Sequence, residues 1–421
     1  MKPSSNIDST KKRTILMVGC FDTKEEDFSY LYSCLQRQHV EIISINMGVL
    51  GTTTLFPVTI EAERVAEAAG FDLSTLRKNK DRGHAIERMG EGAEIMVTQL
   101  SSEGPVHGII GMGGGGGTFM ALAAMRALPF GIPKLCVSTI ATKDLSSHIG
   151  NNDILLMPSI VDVNGLNSIS RVLIGQAAAA IAGMINAPVL EENKIKGRIA
   201  ISVFGNTTTC VDRCSEILKA KGYDVLSFHS VGVGGKTMEA LIMDGFFDAV
   251  LDITTTELAD DLCGGICSSG PDRLTAGGLM GIPQVVAPGC LDMVNFGTRD
   301  SVPEKYGDRK FYSWAPDVTL MRTSKEENKI LGENMAKKIN ASKGAVTVLL
   351  PLKGLSKIGA EGEVFHDPEI DQVLFDAIRK NIKSSIKVLE VNSNIDTAHF
   401  AEEAVKALLE LVNKQTNSNS I

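Results

Sequence analysis

Apolar and polar positions alternate along the chain in a pattern that predicts short strands separated by helices. From residue 14 to about residue 187 the strand-like runs are apolar on both faces, as buried parallel strands are. This alternation predicts a doubly wound α/β domain. Its predicted strands are 14–19, 40–46, 106–110 and 133–139, and its predicted helices are about 24–38, 83–101, 117–127 and 165–186.

The same cycle restarts after a charged, Pro-containing stretch at 187–197, which is the expected linker. We therefore expect two α/β domains with largely parallel sheets, an N-terminal domain at 1–190 and a C-terminal domain at 191–421. An amphipathic helix at about 396–413 is expected to close the second domain. The predicted strands of the second domain are 198–204, 223–228, 247–252, 283–287, 345–350 and 386–390.

Composition and charge exclude several classes of protein. A chain of 421 residues is longer than one hydrophobic core usually organises, which agrees with two domains. The net charge is −8 and no long run of like charges occurs, so general nucleic-acid binding is not expected. No apolar stretch reaches the ~18 residues of a membrane span, and no signal peptide is recognisable. We expect a cytoplasmic protein that does not enter a membrane and whose eight cysteines are buried free thiols.

The most informative motif is a predicted strand followed by five consecutive glycines and a helix. Glycine lets the backbone approach a ligand closely, and the free amides at a helix start favour an anion. The run matches neither the P-loop nor the dinucleotide fingerprint, because the second predicted strand ends at Asn46 without an acidic residue. The alternative is a tight turn that binds nothing. The residues expected to hold phosphate are Gly113, Gly114, Gly115, Gly116, Gly117 and Thr118.

A second candidate segment is the turn Asp22-Thr-Lys24 after the first predicted strand. In a doubly wound sheet the carboxyl ends of neighbouring strands form the ligand crevice, so this turn and the glycines are expected to face one site. Thr23 could donate to a phosphate and Lys24 could neutralise it, while Asp22 could cap the helix or help to hold a metal. Arg82 is a further candidate for a phosphate or base contact, and Asp162 is a second-rank ligand.

The second half of the chain offers an alternative function. Ser230–Thr237 resembles a Walker A loop with Asp252 in the Walker B position, although serine replaces its first glycine. Glu257 or Asp292 could act as general base while Arg322 holds an anion. This would make the protein an enzyme on a small carboxylated or phosphorylated metabolite, in the C-terminal domain or an interdomain cleft. Caps and salt bridges at turns are the structural alternative, so catalysis stays open.

Several motifs occur together in this chain: Asp22-Thr-Lys24, Gly113–Thr118, Gly131-Ile-Pro-Lys134, Pro158-Ser-Ile-Val-Asp162 and Pro288–Gly297. In this combination they resemble the Tm-1-like ATP-binding proteins over about residues 13–412. The resemblance implies two Rossmann-like domains, a homodimer, and ATP bound in the N-terminal domain. It also implies that Thr23 and Gly114–Gly117 contact the nucleotide, and by a weaker match Arg82. Magnesium as the accompanying ion is left open, and no protein metal site is predicted.

Overall fold

The structure is a computed structural model that describes residues 12–188 and 195–418. Internal contacts divide the chain into two compact units, Lys2–Leu190 and Glu191–Ile421, which we call the N-terminal and C-terminal units. Each unit has a parallel sheet covered by helices. The prediction of a two-domain, Rossmann-like α/β protein is confirmed.

The N-terminal unit is a five-stranded parallel sheet in the order β2-β1-β3-β4-β5. Its elements are β1 (Thr14–Gly19), α1 (Glu25–Gln36), β2 (Glu41–Asn46), α2 (Ala62–Ala68), α3 (Leu73–Asn79), α4 (Arg82–Glu103), β3 (Gly108–Gly113), α5 (Gly115–Arg126), β4 (Lys134–Ser138), α6 (Ser146–Ile149), β5 (Ile154–Pro158) and α7 (Ser168–Asn186).

Strand β1 shows why this sheet is buried on both faces. Alternate side chains point to opposite faces of a strand. Leu16 and Val18 accordingly join one apolar cluster, and Ile15 and Met17 join the cluster on the other side. Strand β5 was not predicted, although its sequence is apolar, and in the structure it is a half-exposed edge strand.

Helix α7 is the most apolar long helix of the N-terminal unit. By length and composition alone it could cross a membrane. In the structure it packs against α1 and against strands β3 and β4. Core helices of soluble proteins have the same composition, and the buried residues of α7 include Ile174, Ala178 and Ile181.

The C-terminal unit is a six-stranded parallel sheet in the order β14-β13-β9-β8-β6-β7, with a second, three-stranded antiparallel sheet in the order β10-β12-β11. Its elements are β6 (Arg198–Val203), α8 (Thr208–Ala220), β7 (Asp224–His229), α9 (Val233–Met243), β8 (Ala249–Thr254), α10 (Glu257–Cys263), α11 (Ala276–Met280), β9 (Gln284–Gly289), β10 (Met293–Phe296), β11 (Phe311–Ala315), β12 (Val318–Arg322), α12 (Lys325–Asn340), β13 (Val346–Pro351), α13 (Pro368–Asn381), β14 (Lys387–Val391) and α14 (Ala398–Ser418).

The antiparallel sheet is an insertion between β9 and β13 that the sequence pattern did not reveal. Its strands are only four or five residues long, and β11 is mostly exposed, so no buried apolar run marks it. The six parallel strands start within about two residues of the predicted positions. The parallel sheet was therefore readable from the sequence, whereas the insertion was not.

Candidate functional site

A cavity of about 590 Å³ opens at the carboxyl edge of the N-terminal sheet. Four segments supply most of its wall: the turn after β1, the segment after β2, the connection from α3 to α4, and the glycines after β3. In the order β2-β1-β3-β4-β5 the sheet changes its winding direction between β1 and β3. Ligands of doubly wound sheets bind at this switch point, so the cavity lies where the topology predicts a site.

The five glycines form a strand end, a helix cap and a helix turn. Gly113 ends β3, Gly114 is the N-cap of α5, and Gly115–Gly117 form the first turn of that helix. The amide of Thr118 is the first to bond inside the helix, donating to the carbonyl of Gly114 at 2.8 Å. The amides of Gly115, Gly116 and Gly117 have no acceptor among the residues described. They are donors for an anion, because the first amides of a helix have no partner within it.

A Cβ atom would meet backbone at one of these glycines and the end of a side chain at another. A Cβ atom on Gly113 would lie 2.8 Å from the Cα of Gly117, and one on Gly116 would lie 2.7 Å from the Cδ1 of Ile86. A Cβ on Gly115 would meet nothing within 4 Å. A Cβ on Gly114 or Gly117 would make only ordinary contacts, at 3.8 and 3.7 Å, so the turn is tightest at Gly113 and most open at Gly115.

Basic side chains surround this helix start. Lys24, Lys80 and Arg82 line the cavity, and within the described part of the chain none of them forms a salt bridge. An Arg82 guanidinium nitrogen lies 3.9 Å from the position of a Cβ on Gly116. The structure thus brings together Thr23, Lys24, Arg82 and the glycines, as expected from the sequence.

Thr118 does not join them. Its side chain is fully buried and does not line the cavity. Its hydroxyl lies 2.7 Å from the Ser138 hydroxyl and donates to the carbonyl of Gly113 at 3.2 Å. The hydroxyl therefore fastens α5 to β3 and β4 and is not presented to a ligand in this structure.

Asp22 also differs from its expected role as a helix cap. The N-cap of α1 is Lys24, and no side chain caps that helix. The Asp22 Oδ2 atom instead accepts a hydrogen bond from the Leu50 amide at 2.8 Å, while its Oδ1 atom is buried without a donor. Asp22 therefore ties the turn after β1 to the segment after β2.

Cys20 lies in the cavity wall beside these charges. Burial raises the pKa of its thiol to about 12, and Asp22 adds to this shift while Lys24 and Arg82 oppose it. The thiolate is the nucleophilic form of cysteine. The raised pKa disfavours the thiolate of Cys20, and with it nucleophilic attack by this side chain.

The Walker-like loop of the C-terminal unit has an occupant from its own chain. The Glu257 Oε1 atom accepts hydrogen bonds from the amides of Gly232 and Gly235, at 2.8 and 3.1 Å, at the start of α9. Its Oε2 atom lies 2.6 Å from the Arg273 Nε atom. Arg273 also pairs with Asp252 and with Glu239. A buried carboxylate thus fills the position that a phosphate would take in such a loop.

The other two residues of the alternative site lie in a separate network. Asp292 accepts a hydrogen bond from the Ser356 hydroxyl at 2.6 Å. Arg322 pairs with Asp371 at 2.5 Å and donates to the main-chain carbonyl of Asp292 at 3.4 Å. All these side chains are buried. The structure does not gather Glu257, Asp292 and Arg322 around a common cavity.

Some residues of the cavity wall were not predicted from the sequence. Gly48, Val49 and Leu50 follow β2, and Lys80 ends α3 in a left-handed conformation with φ of 50°. The cluster of basic residues in Lys78-Asn-Lys80-Asp-Arg82, placed between two helices, was a signal that pointed to this part of the wall. The segment after β2 has no such signal, because its contribution is mainly backbone and apolar surface.

Comparison with known proteins identifies relatives along the whole chain. Two family models, the N-terminal and C-terminal domains of the uncharacterised protein family UPF0261, match residues 13–189 and 196–412. A UPF0261 protein of Clostridium tetani is 42% identical over 96% of this chain and all of its own length. The tomato (Solanum lycopersicum) ToMV resistance protein Tm-1(GCR237) is 40% identical over 94% of this chain, which spans 55% of the tomato protein.

Among solved structures, Acinetobacter baumannii MurG aligns over 95% of this chain and 100% of its own, with 9% identity and a TM-score of 0.21. So low a score carries no argument about function. The two family matches and the full-length relatives agree with each other along the chain. The chain belongs to the Tm-1-like UPF0261 family.

Proposed function

We propose that the N-terminal unit binds ATP, with the phosphates held at the start of α5. The observation that carries the proposal is the set of three unbonded amides, on Gly115, Gly116 and Gly117, that open into a cavity at the switch point of the sheet. Amides in this arrangement and the helix dipole favour bound phosphate. Lys24 and Arg82 would neutralise it, and the exposed hydroxyl of Thr23 would donate a further hydrogen bond.

The rest of the cavity suits a nucleoside. Its wall beside β2 is largely apolar and includes Met47, Val49 and Leu50, with Leu76 and Ile86 from the helices. The volume of about 590 Å³ lies within the ~300–1,000 Å³ of small-molecule sites. An apolar pocket next to a cationic helix start fits a base joined to phosphates.

Magnesium would be held mainly by the nucleotide in this proposal. Among the described residues, no three His, Cys, Asp or Glu side chains are grouped as a metal site. Mg²⁺ commonly keeps several waters and takes its other ligands from substrate phosphates. The protein therefore need contribute few direct ligands.

The test is a calorimetric titration of ATP against the wild type and the variant Gly115→Asp. The open space at Gly115 allows the chain to fold with an aspartate, which would place a carboxylate among the phosphate-binding amides. We expect at least about tenfold weaker binding, because one charge-assisted hydrogen bond is worth about 1.5–3 kcal/mol.

The matched control is Gly183→Asp, on the exposed side of α7, where a Cβ also meets nothing within 4 Å. Its ATP affinity should equal that of the wild type. Equal affinity in the wild type and both variants would place the nucleotide elsewhere, and no binding by the wild type would overturn the proposal.

A further inference from the structure

The order of the strands assigns positions to the parts of a nucleotide. This step rests on the proposed function. Neighbouring strands are about 4.8 Å apart, so β1 separates β2 from β3 by roughly 10 Å. With phosphate over β3 and the base against the apolar wall beside β2, the ribose lies over the end of β1. The turn that begins there carries Asp22.

Asp22 occupies a position that the end of β2 supplies in dinucleotide-binding folds. In those folds an acidic residue after the second strand accepts hydrogen bonds from the ribose hydroxyls. Here β2 ends at Asn46, whose side-chain oxygen already accepts from the amides of Phe21 and Gly48. Asp22, on the neighbouring turn, reaches the segment that follows β2. Its Oδ2 atom accepts a hydrogen bond from the Leu50 amide, and the backbone of Gly48 approaches the carboxylate closely because glycine has no side chain.

The other carboxylates of the wall are less suited to this task. Asp81 caps α4 by accepting from the His84 amide at 3.0 Å. Asp162 follows β5, the strand at the opposite end of the sheet from β2. Only Asp22, among the cavity carboxylates described, combines a position over β1 with an oxygen that is buried and has no donor. An acceptor buried without a donor is costly, and a ligand hydroxyl would supply one.

We infer that Asp22 recognises the ribose hydroxyls of the bound nucleotide and makes the site selective for ribonucleotides over deoxyribonucleotides. Gly48 lies against the free oxygen, since a Cβ on it would be 2.2 Å from the Asp22 Oδ1 atom, and its backbone is expected to shift when the ribose enters. Asp22 acts as a specificity residue here. It has no part in holding the phosphates.

The test compares the dissociation constants of ATP, 2′-deoxy-ATP and 3′-deoxy-ATP for the wild type and for Asp22→Asn and Asp22→Ala. We expect the wild type to prefer ATP by about tenfold to a hundredfold over at least one deoxy analogue, the range for a hydrogen bond to a charged group. The preference should shrink in Asp22→Asn and vanish in Asp22→Ala, because ATP loses more affinity in these variants than the disfavoured analogue, which lacks a hydroxyl that Asp22 recognises. Asp212→Asn, at an exposed position of α8 away from the cavity, is the matched control and should keep the full preference.

Any of the following results would contradict the proposed role of Asp22. Equal affinity of the wild type for ATP and both analogues, or an undiminished preference in the Asp22 variants, would mean that Asp22 does not recognise the ribose. An equal loss for all three nucleotides that disappears when Mg²⁺ is chelated would identify Asp22 as a metal ligand instead. If the wild type binds none of the three nucleotides, the proposed function itself fails and the role of Asp22 fails with it. Asp22→Asn keeps an acceptor for Leu50, so the comparison survives if the alanine variant does not fold.

Discussion

Helices α5 and α9 begin in the same way but differ in what lies at their first amides. Both helices follow a parallel strand, and each has a glycine N-cap without a side-chain cap, Gly114 and Gly232. At α9 the carboxylate of Glu257 accepts hydrogen bonds from the amides of Gly232 and Gly235. At α5 the amides of Gly115–Gly117 face a cavity whose lining includes Lys24 and Arg82. One helix start is occupied by the protein itself, and the other is open to a ligand.

A glycine-rich helix start therefore indicates that an anion is bound there, but it does not identify the anion. The deciding residues lie elsewhere in the chain. Glu257 begins α10 and is held by Arg273, sixteen residues further on. No acidic side chain accepts from the amides of Gly115–Gly117 in the part of the chain that the structure describes. Four changes, in order of decreasing expected effect on stability, test the residues that distinguish the two units.

Removing Arg273 should have the largest effect on stability. Arg273→Ala leaves Asp252, Glu257 and Glu239 without their common cation in a buried site, and removal of one partner of a buried pair costs about 3–5 kcal/mol. We expect a loss of about 5 kcal/mol in the C-terminal unit. Urea unfolding followed by the fluorescence of Trp314, the only tryptophan in the chain, measures it.

Arg273→Lys keeps the charge but loses the planar fork and should give an intermediate loss. Arg213→Ala is the control, because it removes only exposed ion pairs and should change little. A small effect of Arg273→Ala would show that the carboxylate at α9 does not depend on this arginine.

Acidity should stabilise the C-terminal unit. Burial raises the pKa of Asp260 to about 7, against the opposing hydrogen bonds from Asn295 and from the Cys267 amide. An unfolded aspartate has a pKa of about 3.9, so the folded protein binds this proton more tightly. The stabilisation is complete below about pH 4 and is lost as the pH rises through about 7, by up to about 4 kcal/mol.

Unfolding by urea at several pH values between 4.5 and 8 tests this prediction, again by Trp314 fluorescence. Asp260→Asn carries no titrating group and should flatten the dependence. Burial also raises the pKa of Asp371 to about 7, so part of the slope should remain in the variant. A slope of the opposite sign in the wild type would contradict the assignment.

Removing Glu257 should convert the occupied helix start into an open one. Glu257→Ala leaves the amides of Gly232 and Gly235 and the Arg273 Nε atom without an acceptor, and we expect a loss of about 2–3 kcal/mol. Added acetate or phosphate should then stabilise the variant more than the wild type, since the variant gains an anion site at the start of α9 that the wild type lacks. Equal anion responses in thermal unfolding would argue against the comparison of α5 with α9.

The smallest effect is expected from Gly115→Ala. A Cβ at this position meets nothing within 4 Å, and alanine is up to about 1 kcal/mol more favourable than glycine in a helix. We expect a gain of about 0.5 kcal/mol, read by calorimetry of thermal unfolding. A loss would show that the turn requires glycine at this position too.

Much of the fold and of the candidate site could be predicted from the sequence, because these features depend on local patterns. The apolar runs located the buried parallel strands, and the glycine run together with Asp22-Thr-Lys24 located the cavity. The rest depends on contacts between distant residues. The hydroxyl of Thr118 was expected to face a ligand, but it is buried in a hydrogen bond with the hydroxyl of Ser138, twenty residues away. Asp22 was expected to cap α1, but it bonds to Leu50, whose position depends on the pairing of β1 with β2.

The most direct test of the central claim is the electron density of a crystal grown with ATP and magnesium. We predict phosphate oxygens within hydrogen-bonding distance of the amides of Gly115, Gly116 and Gly117, with Lys24 and Arg82 turned toward them. No phosphate is expected at the start of α9, where the Glu257 carboxylate remains. A nucleotide bound away from α5, or α5 amides still without an acceptor in a crystal that contains bound ATP, would contradict the account.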